Sequence, residues 1–203
     1  MDIVTVKGEK RSNAGTKFAR ADRRAGLIPC VLYGNDKNTH FTTIQKEVKS
    51  LIYTPEFKIA EIDIDGEVQK CILKDVQFHP VTDEIMHIDF LRLTDGHPVK
   101  VEIPVRFKGV SPGVKAGGKL MQSVRRIKIK TTPEKLVNEL FLDISELQLG
   151  AAVRVRDIEP VDGIEILNAP STPVAFVEVP RALKSAEAAA AATEEEQEAS
   201  AEA

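Results

Sequence analysis

Apolar residues recur at every second position in Val99-Lys100-Val101-Glu102-Ile103 and again in Arg126-Ile127-Lys128-Ile129-Lys130. A period of two sets these side chains on one face of an extended strand and the charged ones on the other. Residues 140–144, 152–156 and 174–179 carry the same alternation, and Gly109, Pro112, Gly117-Gly118, Gly150, Gly163, Pro170 and Pro173 punctuate the series. Short alternating runs between turn residues predict an antiparallel all-β domain over 96–180. The first half is mixed. Strands are expected at 3–6, 28–33, 57–64 and 68–78, with helical stretches near 16–25 and 45–53, so this half reads as α+β. Asp95-Gly96-His97-Pro98 offers turn chemistry where the pattern changes, placing a boundary between a domain at 1–95 and the β domain at 96–180.

Composition sharpens this picture. Trp is absent and Val, Ile and Leu dominate the apolar set, which favours cores of β-branched side chains on sheets and disfavours an all-helical fold. Residues 181–203 are almost entirely Ala, Glu, Ser, Thr and Gln, too poor in large apolar groups to offset the entropy of ordering, so a disordered acidic tail is expected. Cys30 and Cys71 sit in apolar stretches without CxxC spacing, the reading for buried thiols in a reducing cytoplasm. No run approaches the roughly 20 apolar residues of a membrane span.

The net charge of −3 argues at first against a nucleic-acid partner, but its distribution reverses that argument. Lys7, Lys10, Arg11, Lys17, Arg20, Arg23 and Arg24 face only Glu9 and Asp22 between positions 7 and 24, while the surplus of glutamate lies beyond position 181. On a helix, Lys17, Arg20 and Arg24 fall on one face at i, i+3 and i+7 with Arg23 beside Arg20, a stripe suited to phosphates, and Phe18 is free to turn toward the core. Arg11-Ser12-Asn13-Ala14-Gly15 precedes it as a loop able to reach the same backbone.

A second constellation runs from Phe78 to Phe90. His87 and Asp89 alternate with Met86, Ile88 and Phe90, so on a strand both project to the polar face. With Lys74 and Gln77 from the preceding strand, this face suits base edges and ribose hydroxyls in the shallow minor groove of RNA. The competing reading is a metallohydrolase site from His79, Asp83, His87 and Asp89, which needs three or four ligands converging at about 2.0–2.2 Å. A third motif, Gly113-Val114-Lys115-Ala116-Gly117-Gly118-Lys119-Leu120, matches phosphate-loop spacing until Leu120 stands where a hydroxyl should bind magnesium, so it is read as a Gly-rich hairpin. No Gly-x-Ser-x-Gly elbow occurs and no Ser or Cys is associated with a His. Neither an enzyme activity, a cofactor nor a small-molecule substrate is expected.

The string from Arg20-Ala21-Asp22-Arg23-Arg24 through Tyr33-Gly34, together with Lys74-Asp75-Val76-Gln77-Phe78-His79-Pro80 and His87-Ile88-Asp89-Phe90, resembles the family of bacterial large-subunit ribosomal protein number twenty-five. Its long two-domain form is also called general stress protein Ctc. The resemblance implies a six-stranded, barrel-like N-terminal domain with flanking helices, similar to the anticodon-binding domain of glutaminyl-tRNA synthetase, docking on the loop E region of 5S rRNA. It further implies Arg11, Lys17 and Arg20 on phosphates, with Arg23 and Arg24 alongside, and Tyr33, Gln77, His79, His87 and Asp89 on the groove. The β domain, basic in its first third, would make a second contact with rRNA or a neighbouring ribosomal protein. The implied role is that of a structural constituent of the large ribosomal subunit in translation. The alternative is a stress-induced RNA-binding factor that joins the ribosome conditionally.

Overall fold

A computed structural model describes residues 2–34 and 37–180; the tail expected at 181–203 lies outside the described residues. The first 92 residues form β1 (Ile3–Lys10), α1 (Thr16–Arg24), β2 (Leu27–Tyr33), β3 (Thr39–Ile44), α2 (Gln45–Ile52), β4 (Ile59–Ile64), β5 (Glu67–Phe78) and β6 (Ile85–Arg92). The six strands close into a barrel in the order β1-β3-β2-β6-β5-β4. Closure comes from β4 lying parallel to β1, in register from Ile3 opposite Ile59 to Gly8 opposite Ile64. No strand edge of the barrel is then left unpaired. The β2 and β6 strands are also parallel, and the other neighbours antiparallel.

Alternation explains which side chains fill the barrel. Ile28, Cys30 and Leu32 of β2, Ile62 and Ile64 of β4 and Ile88 and Phe90 of β6 are buried together with Val6 and Phe41. The rings of Phe41 and Phe90 meet with centroids 5.9 Å apart. Burying each such side chain stabilises the fold by about 1.5–3 kcal/mol. The short helix α2 adds Val48 and Leu51 to the same core.

Strand β3 escapes the alternation rule because Thr42 and Thr43 are both buried beside Phe41. The Thr43 hydroxyl donates to the Lys7 carbonyl at 2.8 Å, so its polar atom is satisfied and the residue packs as a β-branched apolar group would.

The remaining elements are β7 (Val99–Lys108), α3 (Pro112–Lys115), β8 (Lys119–Gln122), β9 (Arg126–Thr131), β10 (Leu140–Asp143), β11 (Ala152–Arg154), β12 (Ile164–Ile166) and β13 (Pro173–Glu178). They form a four-stranded sheet of order β10-β7-β9-β12 and a three-stranded sheet of order β11-β13-β8. The described residues group into two compact units: 2–34, 37–104, 128–139 and 161–167 in one, and 105–127, 140–160 and 168–180 in the other. In the second unit Ile144, Leu147 and Val177 make a small core with Phe107, Leu120, Leu149, Ala151 and Val153 packed on it.

The structure corrects three expectations. The β domain is not wholly antiparallel, because β10 runs parallel to β7 from Leu140 opposite Val105 to Asp143 opposite Lys108. The long connection between these two strands gives the chain room to return in the same direction. The strand expected over 152–156 stops at Arg154, whose amide donates to Asp157 Oδ2 at 2.8 Å and turns the chain into the 3-10 segment Val155–Asp157. The Gly-rich segment is not a hairpin. Ser111 caps the single helical turn of α3, and β8 pairs with β13, Lys119 opposite Glu178. Its glycines serve packing, since a Cβ on Gly113 would lie 2.6 Å from the Gln148 carbonyl carbon and one on Gly118 2.4 Å from Val177 Cγ1. The amides of Gly113, Val114, Lys115, Ala116, Gly117 and Gly118 already bond backbone carbonyls, so no cradle of free N–H groups remains for a phosphate.

Candidate nucleic-acid interface

Helix α1 buries no residue. Core packing is what ordinarily stabilises so short a helix, so this one is held by specific ties. Arg23 Nε donates to the Met86 carbonyl at 3.0 Å, fastening the last turn to β6. Arg11 Nε pairs with Asp22 Oδ2 at 2.9 Å, fastening the preceding loop to the helix. Lys17, Arg20 and Arg24 are exposed and form no ion pair among the described residues. Phe18 does not reach the core: it is 44% exposed, because the helix meets the barrel through Arg23 and not through an apolar stripe. Arg11 differs in the same way from a phosphate-gripping side chain. Its guanidinium is committed to Asp22 and mostly buried.

Beside this helix lies the exterior of β2, β6 and β5. On β6, Ile88 and Phe90 point into the barrel while His87 and Asp89 face out, partly exposed. Strand pairing sets Gln77 opposite His87, Asp75 opposite Asp89, and Val31, two residues before Tyr33, opposite Asp89. Tyr33, Gln77, His87 and Asp89 therefore share one patch. His87 Nδ1 lies 2.7 Å from Asp89 Oδ1, which orients the imidazole and leaves Nε2 for a partner. Burial first, then the carboxylates of Asp89 and Asp75, raise the Tyr33 phenol above its ordinary range. It keeps its proton at neutral pH and offers an O–H donor on the same face as the two carboxylates.

Two of the residues assigned to this face do other work. The β5 strand is irregular between Leu73 and Asp75, so Lys74 sits in a bulge, and its ammonium donates to the Lys100 carbonyl at 3.1 Å. His79 lies in the β5–β6 turn, where its Nδ1 accepts from the amides of Val81 at 3.3 Å and Thr82 at 3.2 Å. With its backbone bonded to Glu84 and Asp83, and Asp83 at φ 55°, His79 shapes the turn and keeps only Nε2 for outside contact. The Nδ1 atoms of His79 and His87 are thus both engaged internally. No three His, Cys, Asp or Glu among the described residues come together as a metal site requires.

Sequence reasoning missed one residue of the patch. Asp75 is exposed and stands two places before Gln77 on the same strand, so the period of two that groups His87 with Asp89 also groups Asp75 with Gln77. A closed barrel here carries a helix of exposed cations pinned beside a face of hydrogen-bonding side chains, an arrangement chemically able to meet both phosphates and polar groups of a nucleic acid.

The family follows from comparison with known proteins. Residues 6–90 match the Ribosomal L25p family and residues 98–181 the model described as Ribosomal protein TL5, C-terminal domain. Relatives named "Large ribosomal subunit protein bL25" align over almost their full length. The one from Cytophaga hutchinsonii is 41% identical over 191 residues, covering 94% of this chain and 99% of the relative. That from Bacteroides thetaiotaomicron is 38% identical over 195 residues, with 94% and 99% covered. That from Porphyromonas gingivalis strain ATCC 33277 is 40% identical over 188 residues, with 92% and 97% covered. The chain belongs to the Ribosomal L25p family, whose members are structural proteins and not enzymes.

Proposed function

We propose that this chain is a structural constituent of the bacterial large ribosomal subunit and that residues 1–95 bind 5S rRNA at its loop E region. The observation that carries this reading is α1: a helix with no buried residue, presenting Lys17, Arg20 and Arg24 to solvent and tied by Arg23 to the strand bearing His87 and Asp89. A helix that contributes nothing to the core is explained by a partner outside it. The cations supply attraction without sequence information, and Tyr33, Gln77, His87 and Asp89 supply the donors and acceptors that choose among grooves. The names of the relatives, all proteins of the large subunit, agree with this role.

Residues 96–180 form the accessory part of the proposal, a second contact with rRNA or a neighbouring ribosomal protein. Several of its cations are already paired: Lys108 with Glu159 at 3.8 Å, Lys128 with Glu102 at 3.7 Å and Lys130 with Glu165 at 3.2 Å. This weakens the case for broad phosphate contact there and favours a protein neighbour.

The test is binding of the full chain to 5S rRNA over a salt series, with loop E mutant RNA as control and cosedimentation with large subunits in parallel. Neutralising about four phosphates predicts a slope near −3 in log affinity against log salt, lost with the mutant RNA. Weak binding indifferent to the RNA would refute the assignment.

A further inference from the structure

We infer that Asp75 is a specificity-determining residue of this face, its carboxylate accepting hydrogen bonds from neutral donors in an RNA groove, either ribose 2′-hydroxyls or guanine amino groups. The inference rests on the RNA interface proposed above and extends it by a residue outside the set assigned to that interface.

The geometry that carries it is the pairing of two carboxylates. Asp75 and Asp89 are direct partners across β5 and β6. Like charges directly opposite on adjacent strands destabilise a sheet. Among the described residues the ion pairs leave Asp75 without a cation and give Asp89 only His87, while Lys74 next door bonds the Lys100 carbonyl and Arg23 the Met86 carbonyl. Asp89 holds His87, while Asp75 uses Oδ1 to accept the Val76 amide at 2.9 Å. Each carboxylate thus has one internal partner and acceptor capacity left over, facing outward beside a phenol and an amide.

Acceptors that face nucleic acid repel phosphate, so they are productive only against donors. In the minor groove of RNA those donors are the 2′-hydroxyl and the guanine amino group. A DNA duplex of A·T pairs offers the same phosphates with neither the hydroxyls nor the guanine amino groups. The pair therefore admits RNA, whose donors satisfy it, and penalises a polyanion that brings none. The basic helix alone could not make that distinction.

The experiment compares the full-length wild type with Asp75→Asn and Asp75→Ala on 5S rRNA and on an A·T-only DNA duplex of equal length, whose minor groove presents neither donor. Asparagine keeps an oxygen for the Val76 amide, and a melting temperature equal to or above wild type verifies the fold. Loss of a hydrogen bond to a charged acceptor predicts about tenfold weaker binding to 5S rRNA, with DNA binding unchanged or tighter. Loop E RNA fragments carrying 2′-deoxyribose or inosine then identify the donor, because the Asp75 effect disappears on the fragment that lacks it. Unchanged 5S rRNA affinity, an equal gain on RNA and DNA, or an effect persisting on both substituted fragments overturns the inference. If the wild type itself fails to prefer 5S rRNA, the interface assignment falls first; specific wild-type binding that Asp75→Asn leaves intact overturns Asp75 alone.

Discussion

Gly8 marks the point where Phe41, fully buried, lies against the backbone of a neighbouring strand. A Cβ there would sit 2.5 Å from Phe41 Cδ2, and Phe41 is itself in contact with Phe90, so the ring has little freedom to give way. Gly8→Ala should therefore destabilise the barrel by about 1–3 kcal/mol, read as a lower urea midpoint with unchanged slope. At this scale the site is largely legible in the chain. The parity of His87 and Asp89 against Ile88 and Phe90 is enough to put both on the outer face, and the fold adds their 2.7 Å contact. The same parity reaches Asp75. Lys74 is three places from Gln77, so a period of two does not group them, and the bulge at Lys74 leaves its ammonium on the Lys100 carbonyl.

Helix α1 shows what an element's residues can and cannot reveal. Its span is readable to within a residue, and its cations are plain. Its attachment is not. Phe18 is the natural anchor by its chemistry, yet a side chain to backbone bond from Arg23 does that work, 63 positions from its acceptor. The two arginines should therefore separate experimentally. Arg20→Ala is expected to leave the melting temperature unchanged and to reduce the salt slope of 5S rRNA binding by about 0.7–0.9, one phosphate's worth. Arg23→Ala should lose more affinity than one phosphate contact supplies and raise amide exchange across residues 16–24, because the helix swings free of β6.

At the scale of the whole molecule, Cys30 and Cys71 report on the integrity of the barrel. Both are buried, and burial pushes each thiol far above its ordinary value; Asp89 adds to this at Cys30, while Arg92 and a backbone hydrogen bond partly offset it at Cys71. A folded-state value above the unfolded one contributes stability that is fully present below the unfolded value of about 9. Above it the unfolded chain ionises while the native one holds its protons. Stability should then fall by about 1.4 kcal/mol per pH unit for each thiol, with Tyr33 acting in the same direction at higher pH. Urea midpoints measured from about pH 8 to 10 test this, and Cys30→Ala with Cys71→Ala should flatten the slope.

The chain by itself determined the spacing-two strands, the two early helices to within a residue or so, the position of the basic cluster and the outward pairing of His87 with Asp89. Each depends on residues a few places apart, and local periodicity is what a linear pattern can express. Tertiary structure alone decided that β4 returns to β1 to close the barrel, that β10 lies parallel to β7, that Asp22 is taken up by Arg11, and that two buried threonines make β3 a core strand. Those outcomes join residues brought together by the fold and not by their spacing. They are selected by which closure buries the most apolar surface while leaving every backbone group bonded, a property of the assembled barrel that no stretch of the chain carries on its own.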